Sequence, residues 1–140
     1  MLLVLQAVNM RDAGLSTPEI IAELSLLIPK LCIYAAVDTL KYLHKGGRLS
    51  SASLLIGNVL GITPIVAVKD GKVASIGKAR GRKSAFKVIA KQIAKTPIDM
   101  GFPVVLAHAE AKQDLSQFET FLNNTLQQTP TFLRGGIGSV

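Results

Sequence analysis

The dipeptide Asp70-Gly71 narrows the folding options of this chain most. It stands between two apolar, partly β-branched runs, Ile62 to Val68 and Lys72 to Lys78. An Asp-Gly link of two residues supplies the positive φ that a tight antiparallel hairpin requires, so these runs are expected to pair with each other. Elsewhere short apolar runs alternate with helix-like periods. A hairpin inside such a series predicts an α/β fold with a mixed sheet and flanking helices in a layered arrangement.

The remaining segments fill in that scheme. Leu2 to Met10 reads as a buried helix stopped at Gly14, a C-terminal position that favours glycine. Ser16-Thr17-Pro18-Glu19 reads as a helix start, with a hydroxyl cap, a proline in the first turn and an early acid. That helix is expected from Pro18 to Leu27, burying Ile20, Ile21, Leu24 and Leu27. Ile33 to Val37 suits a buried strand. Asp38 is read as the cap of a short helix, Leu40 to Lys45, closed by Gly46-Gly47. Ser50 to Leu60 is expected to be helical, ending at Gly61.

Arg80 to Lys95 reads as an amphipathic helix with Phe86, Ile89, Ala90 and Ile93 on one stripe. Lys83, Lys87, Lys91 and Lys95 recur every fourth residue on another face. Val104 to His108 is expected as a strand, Asp114 to Gln127 as a helix burying Leu115, Phe118, Phe121 and Leu122, and Phe132-Leu133 as the start of a last extended piece.

At 140 residues the chain can close a core of ordinary size, yet hydrophobic residues make up 49% and charged residues only 18%. Mean hydropathy is +0.38. So little charge covers a small domain thinly, and the surplus apolar surface is expected to face a further domain, a partner subunit or an apolar ligand. The single cysteine, Cys32, lies in the run LCIYAAV and is expected to be a small buried hydrophobe. The apolar N-terminus lacks the basic region and cleavage site of a signal peptide, so the chain is expected in the cytoplasm. Leu49 to Val68 carries no charge, but its serines, Asn58, glycines and Pro64 break it into helix, turn and strand rather than a membrane span.

Charge is distributed unevenly. The net charge is +7, yet the segment from Lys41 to Lys95 holds 12 of the 16 basic residues and one acid, a local +11. A field this lopsided steers anionic partners. The run Arg80-Gly81-Arg82-Lys83 could meet nucleic-acid phosphates, but aromatic residues are only 5% and tryptophan is absent, so base stacking has little to work with. A solvated lysine face and docking to an acidic protein are the competing readings.

The stretch VDTLKYLHKGGRLS, Val37 to Ser50, carries the most distinctive chemistry. Paired glycines permit a tight turn with exposed amides, and the arginine behind them can meet a carboxylate or phosphate in bidentate geometry. Gly46-Gly47 also suits a plain helix stop with a solvated Arg48, and chemistry alone leaves both open. His44 and His108 lack partners at metal-ligand spacing. No Ser-His-Asp pattern, nucleophile elbow or carboxylate pair nominates a hydrolase. Gly135-Gly136-Ile137-Gly138 lacks the Lys-Ser/Thr that a phosphate loop needs.

DTLKYLHKGGRLS, followed by ITPIVAVKDGKVASIGKARGRKSAFKVI, resembles the DegV family, with its KGGRIS-like signature, hairpin and arginine-rich segment before a basic helix. The resemblance implies two parts: residues 1–30 as the last helices of an N-terminal domain, and residues 31–140 as a C-terminal domain truncated at its end. It implies a carrier, not an enzyme, that holds a long-chain fatty acid and presents its carboxylate to a separate fatty acid kinase that makes acyl phosphate. No cofactor is implied beyond that fatty acid. By motif position, Arg48 with Gly46 and Gly47 corresponds to the head-group region. Arg80, Arg82 and Lys83 correspond to kinase docking.

The family's hydroxyl-bearing N-terminal loops and its His-Gly-Pro-Gly segment have no counterpart here, so the piece alone is expected to bind fatty acid weakly or not at all. A nucleic-acid-binding module and a self-associating interaction domain are the alternatives.

Overall fold

The computed structural model describes residues 1–49, 60–69, 71–95, 98–126 and 129–137. The chain forms two compact units, Met1–Cys32 and Ile33–Val140.

The first unit holds helix α1 (Leu2–Asp12), helix α2 (Thr17–Leu27) and a 3-10 turn, Ile28–Lys30. Between the helices Gly14 takes φ +87°, and the Leu15 N–H donates back to the Met10 carbonyl at 3.0 Å. The start of α2 follows the sequence. Glu19 Oε2 accepts from the Ser16 hydroxyl at 2.6 Å and from the Ser16 backbone N–H at 2.8 Å. These two bonds, the hydroxyl's first, hold the Glu19 carboxyl below the usual carboxylate range.

The expected burial in this unit does not occur. Neither helix contains a buried residue, and Ile21 is 60% exposed. Two short helices have too little interior to enclose their own apolar stripes. Cys32 is likewise exposed rather than packed.

In the second unit strand β1 (Ile33–Ala36), strand β2 (Ile62–Lys69) and strand β3 (Lys72–Arg80) form one antiparallel sheet in the order β1-β2-β3. The hairpin is in the expected register, Val68 opposite Val73 and Lys69 opposite Lys72, with Gly71 at φ +71°. Pairing continues to Ile62 opposite Arg80, across a bulge between Ile65 and Val66 where Ile76 is the extra residue. Pro64 explains where β1 ends. Its carbonyl accepts from the Val37 N–H at 3.1 Å, but a proline nitrogen has no hydrogen to return. The ladder stops there and the chain leaves the sheet at Asp38.

Strand β4 (Val104–His108) and strand β5 (Phe132–Gly136) form a separate parallel pair. Gly135 and Gly136 are thereby sheet residues, opposite Ala107 and His108, and do not form a loop. Parallel and antiparallel pairing are both present, on two sheets, with helices flanking them. The layered α/β expectation therefore holds. The helix expected from Ser50 to Leu60 falls, apart from Leu60, outside the described residues.

Alternation along β2 creates two cores. Ile65 points to helix α4 (Arg82–Ile93), packing with Ala79, Ala85 and Ile89, while Val66 points to the opposite face with Leu40 and Leu49. A third cluster joins Ala90 of α4 to Leu106 of β4 and Leu122 of helix α5 (Lys112–Thr125). Phe86 stacks in a tilted pair on Phe118, ring centroids 5.0 Å apart. Helix α5 is tied to β5 by a two-point pair: Arg134 Nε donates to Glu119 Oε2 at 2.7 Å and Nη2 donates to Oε1. That hydrogen-bonded guanidinium holds the Glu119 carboxyl below the usual range.

Two outcomes follow. Ile65 is fully buried, so Ile65→Ala is expected to lower unfolding free energy by about 2–5 kcal/mol in urea titration, and Ile21→Ala by roughly 0.5 kcal/mol or less. A depressed folded-state pKa contributes stability above the unfolded value and loses it as pH falls through the folded one. Glu119→Gln should therefore melt below wild type near neutral pH, and the two melting curves should converge as pH drops below the glutamate range.

Candidate ligand-binding site

Helix α3 (Lys41–Lys45) is a short turn of helix whose first N–H, of Lys41, donates to Thr39 Oγ1 at 3.2 Å. Thr39, not Asp38, accepts that N–H, and Leu40 holds the N-cap position. The helix closes on its glycines. Gly46 N–H donates to the Tyr42 carbonyl at 2.9 Å, Gly47 N–H to that of His44 at 2.9 Å, and Arg48 N–H to that of Leu43 at 3.0 Å. The paired glycines are required for different reasons. Gly47 lies at φ +65°, where a side chain is strained. Gly46 has ordinary backbone angles, but a Cβ there would meet Arg48 Nη1 at 3.0 Å and the Tyr42 carbonyl at 3.2 Å. The arginine's head group folds back over the first glycine.

Past the turn the chain is fastened to the sheet. Leu49 is buried and bridges Val73 in parallel, and the Arg48 carbonyl accepts from the Val73 N–H at 3.2 Å. Arg48 itself is exposed, and among the described residues no carboxylate pairs with it. Gly46, Gly47 and Arg48 thus form one preorganised unit whose cation is open to solvent.

Arg80 lies elsewhere. It ends β3, seven residues beyond Val73, so the two arginines are anchored roughly 20 Å apart along the strand. Arg80 is exposed and, among the described residues, has no acidic partner. After it Gly81 turns at φ +77°, its N–H donating to the Gly61 carbonyl at 3.1 Å, and α4 begins.

Arg82 is engaged by its own chain at the surface: its Nε lies 3.1 Å from Asp114 Oδ2, and its Nη2 donates to Oδ1 of the exposed Asp38. Its side chain is 32% exposed. Of the three residues grouped at this corner, Arg80 and Lys83 face solvent and Arg82 serves two carboxylates of its own chain. No local pattern announces this pair, because Asp38 lies 44 residues from Arg82.

The lysine row behaves as its spacing predicts. Lys83, Lys87 and Lys91 are exposed along α4 while Ala85, Phe86, Ile89 and Ala90 are buried beneath. With Phe86 enclosed by Phe118 and Phe121, the aromatic within the basic run is not available to stack on a base. Among the described residues no group of three His, Cys, Asp or Glu side chains could hold a metal, and no helix is long and apolar enough to cross a membrane. His108 is half-buried at the end of β4, its Nδ1 enclosed without a hydrogen-bond partner.

Comparison with known proteins places the chain. It is 35% identical over 138 residues to a DegV domain-containing protein of Caldanaerobacter subterraneus subsp. tengcongensis, covering 98% of this chain and 49% of that one. It is 40% identical over 108 residues to one of Clostridium acetobutylicum, covering 77% and 39%. The chain therefore spans about half or less of the length of these curated relatives.

Among solved structures, a DegV family protein from Eubacterium eligens loaded with heptadecanoic acid shares the fold, with TM-score 0.85 and 20% identity over 97% of this chain and 49% of that one. A fatty acid binding DegV family protein from Streptococcus agalactiae gives TM-score 0.75 at 27% identity, covering 94% and 47%. A stearic acid-binding protein from Eubacterium ventriosum gives the same TM-score and identity, covering 92% and 45%. The family model described as uncharacterised protein, DegV family, matches residues 1–140, and the chain belongs to the DegV family.

Proposed function

We propose that this chain is the carboxylate-facing part of a fatty-acid carrier, a binding protein and not a catalyst. The observation that carries the reading is Arg48. It is an exposed guanidinium with no acidic partner among the described residues, laid over a glycine and anchored through its own carbonyl to β3. Such a group is preorganised for an anionic head, and a carboxylate fits its fork. Fatty acid binding by the Streptococcus protein and the stearic acid named for the Eubacterium ventriosum protein support a long acyl chain behind that head.

In this reading residues 1–30 are the closing helices of an N-terminal domain and residues 31–140 belong to a C-terminal domain. The exposed apolar side chains of α1 and α2, Val4 and Ile21 among them, supply surface for the rest of that first domain. The carrier works in the cytoplasm and presents its ligand to a fatty acid kinase. Arg80, Lys83 and the lysine row of α4 attract that partner, which arrives with ATP and metal-bound phosphates. The local charge of +11 between Lys41 and Lys95 speeds encounter with such a negatively charged complex.

The test is fatty-acid retention by native mass spectrometry. The 140-residue chain is compared with a chimera that adds the remaining segments of the Caldanaerobacter relative. Oleate should remain bound to the chimera and be largely lost from the shorter chain. In the chimera, Arg48→Ala should weaken binding by roughly ten- to a hundredfold, the cost of losing a charge-assisted pair to a carboxylate. Gly46→Ala, which pushes the guanidinium from its seat, should weaken it by a smaller factor. Undiminished oleate binding by Arg48→Ala would overturn the assignment.

A further inference from the structure

We propose that Arg82 is a positioning residue that locks the Arg80–Gly81 corner, and not a cation that touches the partner. One guanidinium joins three segments of the second unit. It sits in the first turn of α4, it meets Asp38 where the chain leaves β1, and it meets Asp114 in the first turn of α5.

Register shows why this place matters. Val37 is held to Pro64, and Pro64 lies opposite Lys78, so Asp38 and Arg80 emerge from the same end of the three-stranded sheet. Only Gly81 separates Arg80 from Arg82, at a positive φ that favours glycine. Gly81 stands at the N-cap position of α4 and its N–H donates to the Gly61 carbonyl at 3.1 Å. Arg82, paired through Nε with Asp114 and through Nη2 with Asp38, fixes that start. Its neighbour Arg80 is left pointing into solvent.

Electrostatics separate this role from docking. Asp38 and Asp114 would repel each other across the gap if Arg82 were removed, so the arginine variant should suffer more than either acid variant. A docking cation obeys the opposite rule. Neutralising the acids beside it raises the local positive charge and tightens its grip on an anion.

The experiment uses the 140-residue chain and four variants, Arg82→Ala, Arg82→Lys, Asp38→Asn and Asp114→Asn, each studied by NMR at a temperature where circular dichroism shows it folded. In wild type the Arg82 Nε–H signal should be slow to exchange, and Asp114→Asn should remove that protection. Exchange of the Gly81 amide should accelerate roughly tenfold or more in Arg82→Ala and by a smaller factor in each acid variant, with partial rescue by lysine. If Arg82→Ala does not fold, the two acid variants carry the same test.

Pyrophosphate is then titrated while Arg80 Nε–H is followed. Asp38→Asn should weaken its binding a few-fold despite the added net charge. Unchanged Gly81 exchange in all variants, or tighter pyrophosphate binding by Asp38→Asn, would overturn the proposal. Absence of pyrophosphate binding by wild type would count against Arg80 as the docking cation, the reading under Proposed function. The Gly81 exchange rates would still decide the role of Arg82.

Discussion

Strand β2 is buried on both faces, and the second unit is arranged around that fact. Ile65 and Val66 are adjacent in sequence, so pleating sends one to α4 and the other to the layer built from Leu40 and Leu49. The bulge between them lets β3 follow without losing either contact. A one-residue slip would exchange the two sets and leave both layers unmatched. The hairpin, held by Gly71 at one end and by the Ile62–Arg80 pair at the other, fixes that register.

From this frame the placement of the arginines follows. The segment from Asp38 to Leu49 departs at the Pro64 end of the sheet and returns to Val73 at the hairpin end, with Leu40, Leu43 and Leu49 packed on one face as it crosses. Arg48 is therefore delivered to one end of β3 and Arg80 to the other. The proposed head-group role of Arg48 and the proposed docking role of Arg80 therefore fall at separate places on the sheet.

Much of this was legible in the residues. The Asp-Gly hairpin, the capped start of α2, the apolar stripe of α4 and the strand at Val104 to His108 each have local causes, and each formed within a residue or two of expectation. Long-range pairings were not legible. Asp38 reads as a cap because aspartate favours caps, but Arg82 claims it from 44 positions away and Thr39 accepts the Lys41 N–H instead. The Glu119–Arg134 fork had no sequence signal either, since the partners lie on α5 and β5. Burial in α1 and α2 was misjudged because periodicity reports an apolar face without reporting what covers it.

The basic segment also has an internal division that net charge conceals. Arg82 belongs to it by position, yet it is answered by two carboxylates from outside the segment, Asp38 and Asp114. The field offered to an anion therefore comes from the lysines of α4, Arg80 and Arg48, while Arg82 is already ion-paired within the chain. Lysines on flexible stems provide long-range attraction that salt screens. Directional recognition falls to the arginines, whose planar forks demand a matching carboxylate or phosphate at a fixed angle. Attraction and recognition are thus assigned to different residues. On the proposed reading, the fixed geometry of the Gly81 corner and the Gly46-Gly47 turn therefore matters more to binding than the total charge does.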